Sequence, residues 1–90
     1  MPTVYIPTLM RKYNSNKPQL SVNPGCLNDL FSEMETRCPG IKTQLFDQEG
    51  KMKRYINVFI NSEDIRSLNG VETVVNERDT VHIIPAMAGG

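Results

Sequence analysis

The chain is predicted to fold as one α+β domain, a mixed sheet of four to five strands crossed by one main helix. Three observations lead there. Leu27, Leu30, Phe31 and Met34 recur at i, i+3, i+4 and i+7, which lines one face of a helix. Around that helix lie runs of alternating or β-branched residues, at Thr3 to Ile6, Pro18 to Val22, Tyr55 to Asn61 and Val81 to Ile84. Finally, 90 residues leave room for a single small core and no second domain.

Thr3-Val4-Tyr5-Ile6 alternates polar and apolar, so Val4 and Ile6 face inward. Pro7 cannot donate to a ladder, so the strand ends or bulges there, and Leu9 is expected to rejoin the core. Arg11 to Lys17 reads as a polar turn. It leads into a second strand, with Leu20 and Val22 inward, that makes a hairpin with the first. Asn23-Pro24-Gly25 breaks the extended pattern ahead of the helix. Asp29 near its start and Arg37 near its end suit the helix dipole, and Pro39-Gly40 stops it. Ile41, Leu45 and Phe46 are expected to form one further helical turn that caps the core.

The segment from Asp47 to Arg54 is a polar loop. Its basic half, Lys51, Lys53 and Arg54, is a solvated edge or a contact for an acidic partner. Tyr55 to Asn61 is the clearest strand. If Ile56, Val58 and Ile60 point inward, Tyr55, Asn57 and Phe59 lie on the open face of the sheet. Tyr55 and Phe59 exposed there would be a contact surface for another protein. A short segment around Ile65 and a brief apolar strand within Val71 to Val75 lead to the last strand, which stops at Pro85.

After Pro85 come only small or flexible residues, Ala86-Met87-Ala88-Gly89-Gly90. The domain is thus expected to span 1–90, with a flexible tail over about 86–90. The one unusual chemical group on offer is the α-carboxylate of Gly90. Its reference pKa of about 3.3 to 3.7 leaves it ionised at neutral pH and able to attack an activated phosphate. Glycine suits such a tail because, without a Cβ, it passes through a narrow channel.

Composition narrows the remaining choices. Ten basic and ten acidic residues cancel, which argues against nucleic-acid and polybasic membrane surfaces, since both rest on excess positive charge. No apolar run approaches a membrane span and the start lacks a signal-peptide pattern, so a soluble cytoplasmic protein is expected. Cys26 and Cys38 form no Cys-x-x-Cys pair, and with His82 as the single histidine no standard four-ligand zinc site is expected. Flanking one helix, the two thiols would stand about 18 Å apart, beyond disulfide reach. His82 has no nucleophile at a telling spacing and reads as a surface or packed residue.

The order of these elements, together with Ile84-Pro85-Ala86-Met87-Ala88-Gly89-Gly90, resembles the ubiquitin-like β-grasp sulfur carriers of the ThiS/MoaD family over essentially the whole chain. Within the family the likeness is strongest to the CysO type of cysteine biosynthesis. It is carried by Ile6-Pro7-Thr8, the helix ending near Pro39-Gly40, the Asn57-to-Asp64 segment and the Pro85-to-Gly90 tail. One departure is Glu77-Arg78-Asp79, where the family usually has a glycine at the centre; Arg78 implies another turn geometry or mild strain.

The resemblance implies a carrier rather than an enzyme. An E1-like, MoeB-type activating enzyme would bind the sheet face through Tyr55 and Phe59 and draw in Ala86, Met87, Ala88 and Gly89. It would adenylate the Gly90 carboxylate with ATP and magnesium, and a sulfur donor protein would convert the adduct to a thiocarboxylate. A cysteine synthase carrying pyridoxal phosphate and a metalloprotease would then use it. The carrier itself, a monomer when alone, would bind no cofactor or metal. Two alternatives share the tail: the small subunit of molybdopterin synthase, paired with its large subunit, and a ubiquitin-like protein modifier.

Overall fold

The computed structural model describes residues 1–86. Strand β1 (Thr3–Tyr5) pairs antiparallel with β2 (Gln19–Ser21), with Val4 opposite Leu20, which is the expected hairpin. After β2 the chain forms β3 (Gly25–Cys26), helix α1 (Leu27–Arg37) and a short helix α2 (Ile41–Leu45). Strands β4 (Ile56–Ile60), β5 (Glu63–Asp64), β6 (Val74–Val75) and β7 (Thr80–Pro85) complete the chain. The main sheet has the order β2-β1-β7-β4-β5, and β7 is parallel to β1 but antiparallel to β4. This is a mixed five-stranded sheet, within the four to five strands expected.

Strand parity sets which side is dry. Val4, Leu20, Val58, Ile60, Val81 and Ile83 are buried, because period-two alternation puts all of them on one face of the sheet. Helix α1 covers that face with Leu27, Leu30, Phe31 and Met34, each at most 1% exposed. Ile41 and Leu45 of α2 complete the cluster, and the Phe46 ring meets Phe31 edge-on at 5.5 Å. Burying such side chains is worth roughly 1.5–3 kcal/mol each, so this stripe dominates the stability of the domain.

Two sequence-based expectations are corrected. Leu9 does not rejoin the core; it is 70% exposed, and Met10 is buried in its place. The cause is that Thr8–Asn14 is a 3-10 helix rather than loop, so positions three apart share a face and Met10 and Tyr13 turn inward together. The short strand within Val71 to Val75 does not join the main sheet. Val74–Val75 pairs with Gly25–Cys26 in a separate two-stranded ribbon, and Glu63–Asp64 takes the edge position beside β4. Arg78, in contrast, needs no left-handed backbone: the N–H of Asp79 donates to the carbonyl of Asn76, and the positive φ near this turn falls on Asn61 instead.

Two carboxylates hold the loops. Glu35 accepts from the N–H groups of Gly40 and Lys42 at 3.0 and 2.9 Å, fastening the α1–α2 corner, where Gly40 has φ 99° and lies against the Tyr13 ring. Those backbone donors hold the Glu35 carboxyl below its ordinary range. Asp79 is lowered by the Asn76 N–H and the Asn61 side chain. A carboxyl with a depressed folded pKa stabilises fully above its unfolded pKa, about 4.3 for Glu, and that contribution is lost as pH falls through the folded value. The unfolding midpoint is therefore expected to drop as pH is lowered below about 4.3, and Glu35→Gln to flatten part of that slope. Thermal melts of both proteins across the acid range check this; equal slopes would contradict it.

Cys26 and Cys38 cap the two ends of α1 and are both free thiols. Burial pushes the Cys38 thiol above its ordinary range, which disfavours the reactive thiolate. Among the described residues, no helix is long and apolar enough to cross a membrane.

Candidate functional site

The site is organised by how β7 ends. Its residues alternate between partners on β4, and the N–H of Ala86 donates to the carbonyl of Tyr55 at 2.6 Å. By that alternation the N–H missing from Pro85 would point away from β4. It would face the side where β1 has already stopped, since β1 pairs no further along β7 than His82. Proline therefore costs the ladder nothing at this position and ends the strand cleanly. Tyr55 and Ala86, both expected to meet a partner, are thus brought together at the root of the tail. Met87, Ala88, Gly89 and Gly90 lie outside the described residues.

Phe59 lies on the same face as Tyr55, as parity requires, and is half-buried. Register places it opposite His82 on one side and Asp64 on the other, while His82 lies opposite Tyr5, which in turn lies opposite Gln19. One row thus crosses all five strands as Gln19, Tyr5, His82, Phe59 and Asp64. Within it the rings of Tyr5 and His82 stack at 4.5 Å between centroids, 4° from coplanar. One step toward the tail, Ile84 is 47% exposed beside Asn57, and Tyr55 is 48% exposed beside Ala86. The open face therefore carries an apolar and aromatic band, continuous from Tyr5 to the root of the tail.

A polar clasp borders the band. Arg66 donates to Asn57 at 2.7 Å and to Asp64 at 2.7 Å, and this guanidinium holds the Asp64 carboxyl below its ordinary range. Among the described residues, no three of His, Cys, Asp and Glu come together as a metal site. The arrangement sets an exposed apolar and aromatic surface beside the root of the tail.

Sequence reasoning misses Tyr5, His82, Ile84 and Arg66 as site residues. Parity alone puts Tyr5, His82 and Ile84 outward, since Val4, Val81 and Ile83 face in. Their convergence needs the β1–β7 register, which no local pattern reveals.

Comparison with known proteins bears on this surface. The ThiS family model matches residues 7–90. The chain belongs to the ThiS family. It is 36% identical to the sulfur carrier protein CysO of Mycobacterium tuberculosis, over 98% of this chain and 97% of that protein. The crystal structure of Mycobacterium tuberculosis CysO superposes with a TM-score of 0.91 at 32% identity, covering 97% of this chain and 100% of that one. CysO in the Amycolatopsis orientalis BexX/CysO complex superposes at 0.92 with 37% identity, each chain covered completely. The fold is the ubiquitin-like β-grasp, as the resemblance implied. In this ThiS-family chain the open face of the β-grasp sheet and the root of the tail form one continuous surface.

Proposed function

We propose that this protein is a sulfur carrier that delivers the Gly90 carboxylate into the active sites of other proteins, and that its sulfur serves cysteine biosynthesis. The observation that carries the reading is the full-length likeness to CysO at 36% identity, extending over 98% of the chain. The continuity of the open face with the tail root supports it, because a partner seated on Tyr55 and Phe59 lies where residues 87–90 begin. BexX and CysO form a complex in Amycolatopsis orientalis, which supports a carrier of this fold working through a partner protein.

The chemistry asked of the chain is limited to one group. A carboxylate oxygen of Gly90 attacks the α-phosphorus of ATP on an E1-like enzyme, the bond to the β-phosphate oxygen breaks and pyrophosphate leaves. Sulfide supplied by a sulfur donor then attacks the acyl carbon, the bond to the AMP oxygen breaks, AMP departs, and the terminus carries sulfur in place of one oxygen. The carrier is substrate in both steps. ATP, magnesium and any pyridoxal phosphate belong to the partners.

Intact mass spectrometry of the protein from its native cells tests the reading. A species with one oxygen replaced by sulfur is expected, and a species extended by one cysteine would mark the cysteine route. Attachment to lysines of other proteins would point to a modifier instead. An unmodified terminus, even after incubation with the activating enzyme, ATP, magnesium and sulfide, would overturn the proposal.

A further inference from the structure

Below the edge of β4, the turn 52–54 and the segment 65–71 enclose a cleft of about 290 Å³. Its floor is apolar, built from Met52, Ile56, Ile65 and Val71, and Lys53, Arg54 and Arg66 stand on its rim. The cleft adjoins the tail root: Lys53 Nζ lies 5.9 Å from the centre of the Tyr55 ring, and the Tyr55 carbonyl holds Ala86. Arg66 is paired with Asp64, but among the described residues neither Lys53 nor Arg54 reaches a carboxylate. In a chain whose charges cancel overall, this is a local excess of positive charge beside the root of the tail.

We infer that Lys53, Arg54 and Arg66 form a cationic collar that seats on an acidic lip around the channel of the activating enzyme, with an apolar side chain of that lip entering the cleft. The inference rests on the carrier reading above. Distance decides what the collar meets. Threaded in extended form through a channel, residues 87–90 carry the Gly90 carboxylate about 14 Å past Ala86. That exceeds the roughly 8 Å screening length of physiological salt, so the collar does not act on a nucleotide held at Gly90. It acts on the protein surface at the channel mouth. The apolar floor points the same way, since a phosphate backbone offers nothing to fill it, whereas an acidic peptide segment with one apolar residue fills both.

The test is ATP–pyrophosphate exchange by the activating enzyme with Lys53→Glu/Arg54→Glu as the carrier, run across a salt series beside the wild-type chain and Lys17→Glu. Lys17 is exposed ahead of the far edge strand β2 and does not line the cleft. For the double variant the carrier's KM is expected to rise about tenfold or more at low salt, with kcat within about twofold and a shallower salt dependence, because rim charges act mainly on association. Lys17→Glu should stay near wild type. If the double reversal melts early, Lys53→Gln/Arg54→Gln replaces it and should show the same direction. Wild-type exchange with an unchanged KM and salt slope in the variants overturns the collar and leaves the carrier reading intact. No exchange by the wild-type chain overturns the carrier reading, and the collar with it.

Discussion

Deleting Gly90 is expected to abolish adenylation while leaving the unfolding midpoint unchanged. The buried cluster draws its last member from Ile83, and the last ladder bond described is made by the N–H of Ala86. Truncation by one residue removes none of these contacts. It does, however, withdraw the terminal carboxylate by one residue, about 3.5 Å along an extended chain. Because a misplacement of about 1 Å can cost on the order of a hundredfold in rate, the carboxylate of Gly89 cannot substitute for that of Gly90. ATP–pyrophosphate exchange should fall by more than about a thousandfold by the same reasoning. Gly90→Ala keeps the carboxylate in reach but adds a Cβ in the channel, and should lose less. Exchange at the wild-type rate by the truncated chain would show that the terminal carboxylate is not the reacting group. A fallen melting temperature would show that the residue supports the fold.

What is legible in the sequence is what a local pattern can encode. Leu27, Leu30, Phe31 and Met34 announce a helix because their spacing samples one face repeatedly, and all four are buried. Ile56, Val58 and Ile60 do the same for a strand. Such patterns are local and need no knowledge of partners. Leu9 escapes this kind of reading because Pro7 ends a strand without dictating the conformation of the next segment. A 3-10 helix there shifts the inward position to Met10 by a rotation that no alternation encodes. Glu63–Asp64 and Val74–Val75 are two residues long, too short to show a period, and their partners are fixed by long-range pairing. The same limit hides half of the site. Tyr55, Phe59 and Ala86 can be read from one strand and the tail, but the Tyr5–His82 stack joins opposite ends of the chain. The collar is half visible: the cluster of Lys51, Lys53 and Arg54 is plain in the sequence, whereas Arg66 and the cleft belong to the fold.

Phe59→Ala is expected to weaken binding to the activating enzyme by about thirtyfold, the scale of losing a central aromatic anchor from an interface. Phe59 is the fourth of the five residues in the row across the open face, flanked by His82 and Asp64, on the strand that holds the root of the tail. Truncation of a fully buried Phe costs about 3–5 kcal/mol. Phe59 is only half-buried and projects away from α1, so its folding cost should be nearer 1 kcal/mol, about the centre of the range for single substitutions. Gln19→Ala supplies the control. Gln19 is in the same row on the far edge strand, three inter-strand spacings away, or about 14 Å, and its loss should change neither quantity. Calorimetric titration of the enzyme with each variant, paired with thermal melts, separates the two effects. A large drop in melting temperature with an unchanged Kd would mean that Phe59 serves the domain's own packing. A weakening by Gln19→Ala equal to that by Phe59→Ala would mean that the partner covers the whole sheet. The expected outcome, loss at Phe59 and none at Gln19, confines recognition to the half of the sheet from which the tail departs, where docking and delivery of the carboxylate are a single event.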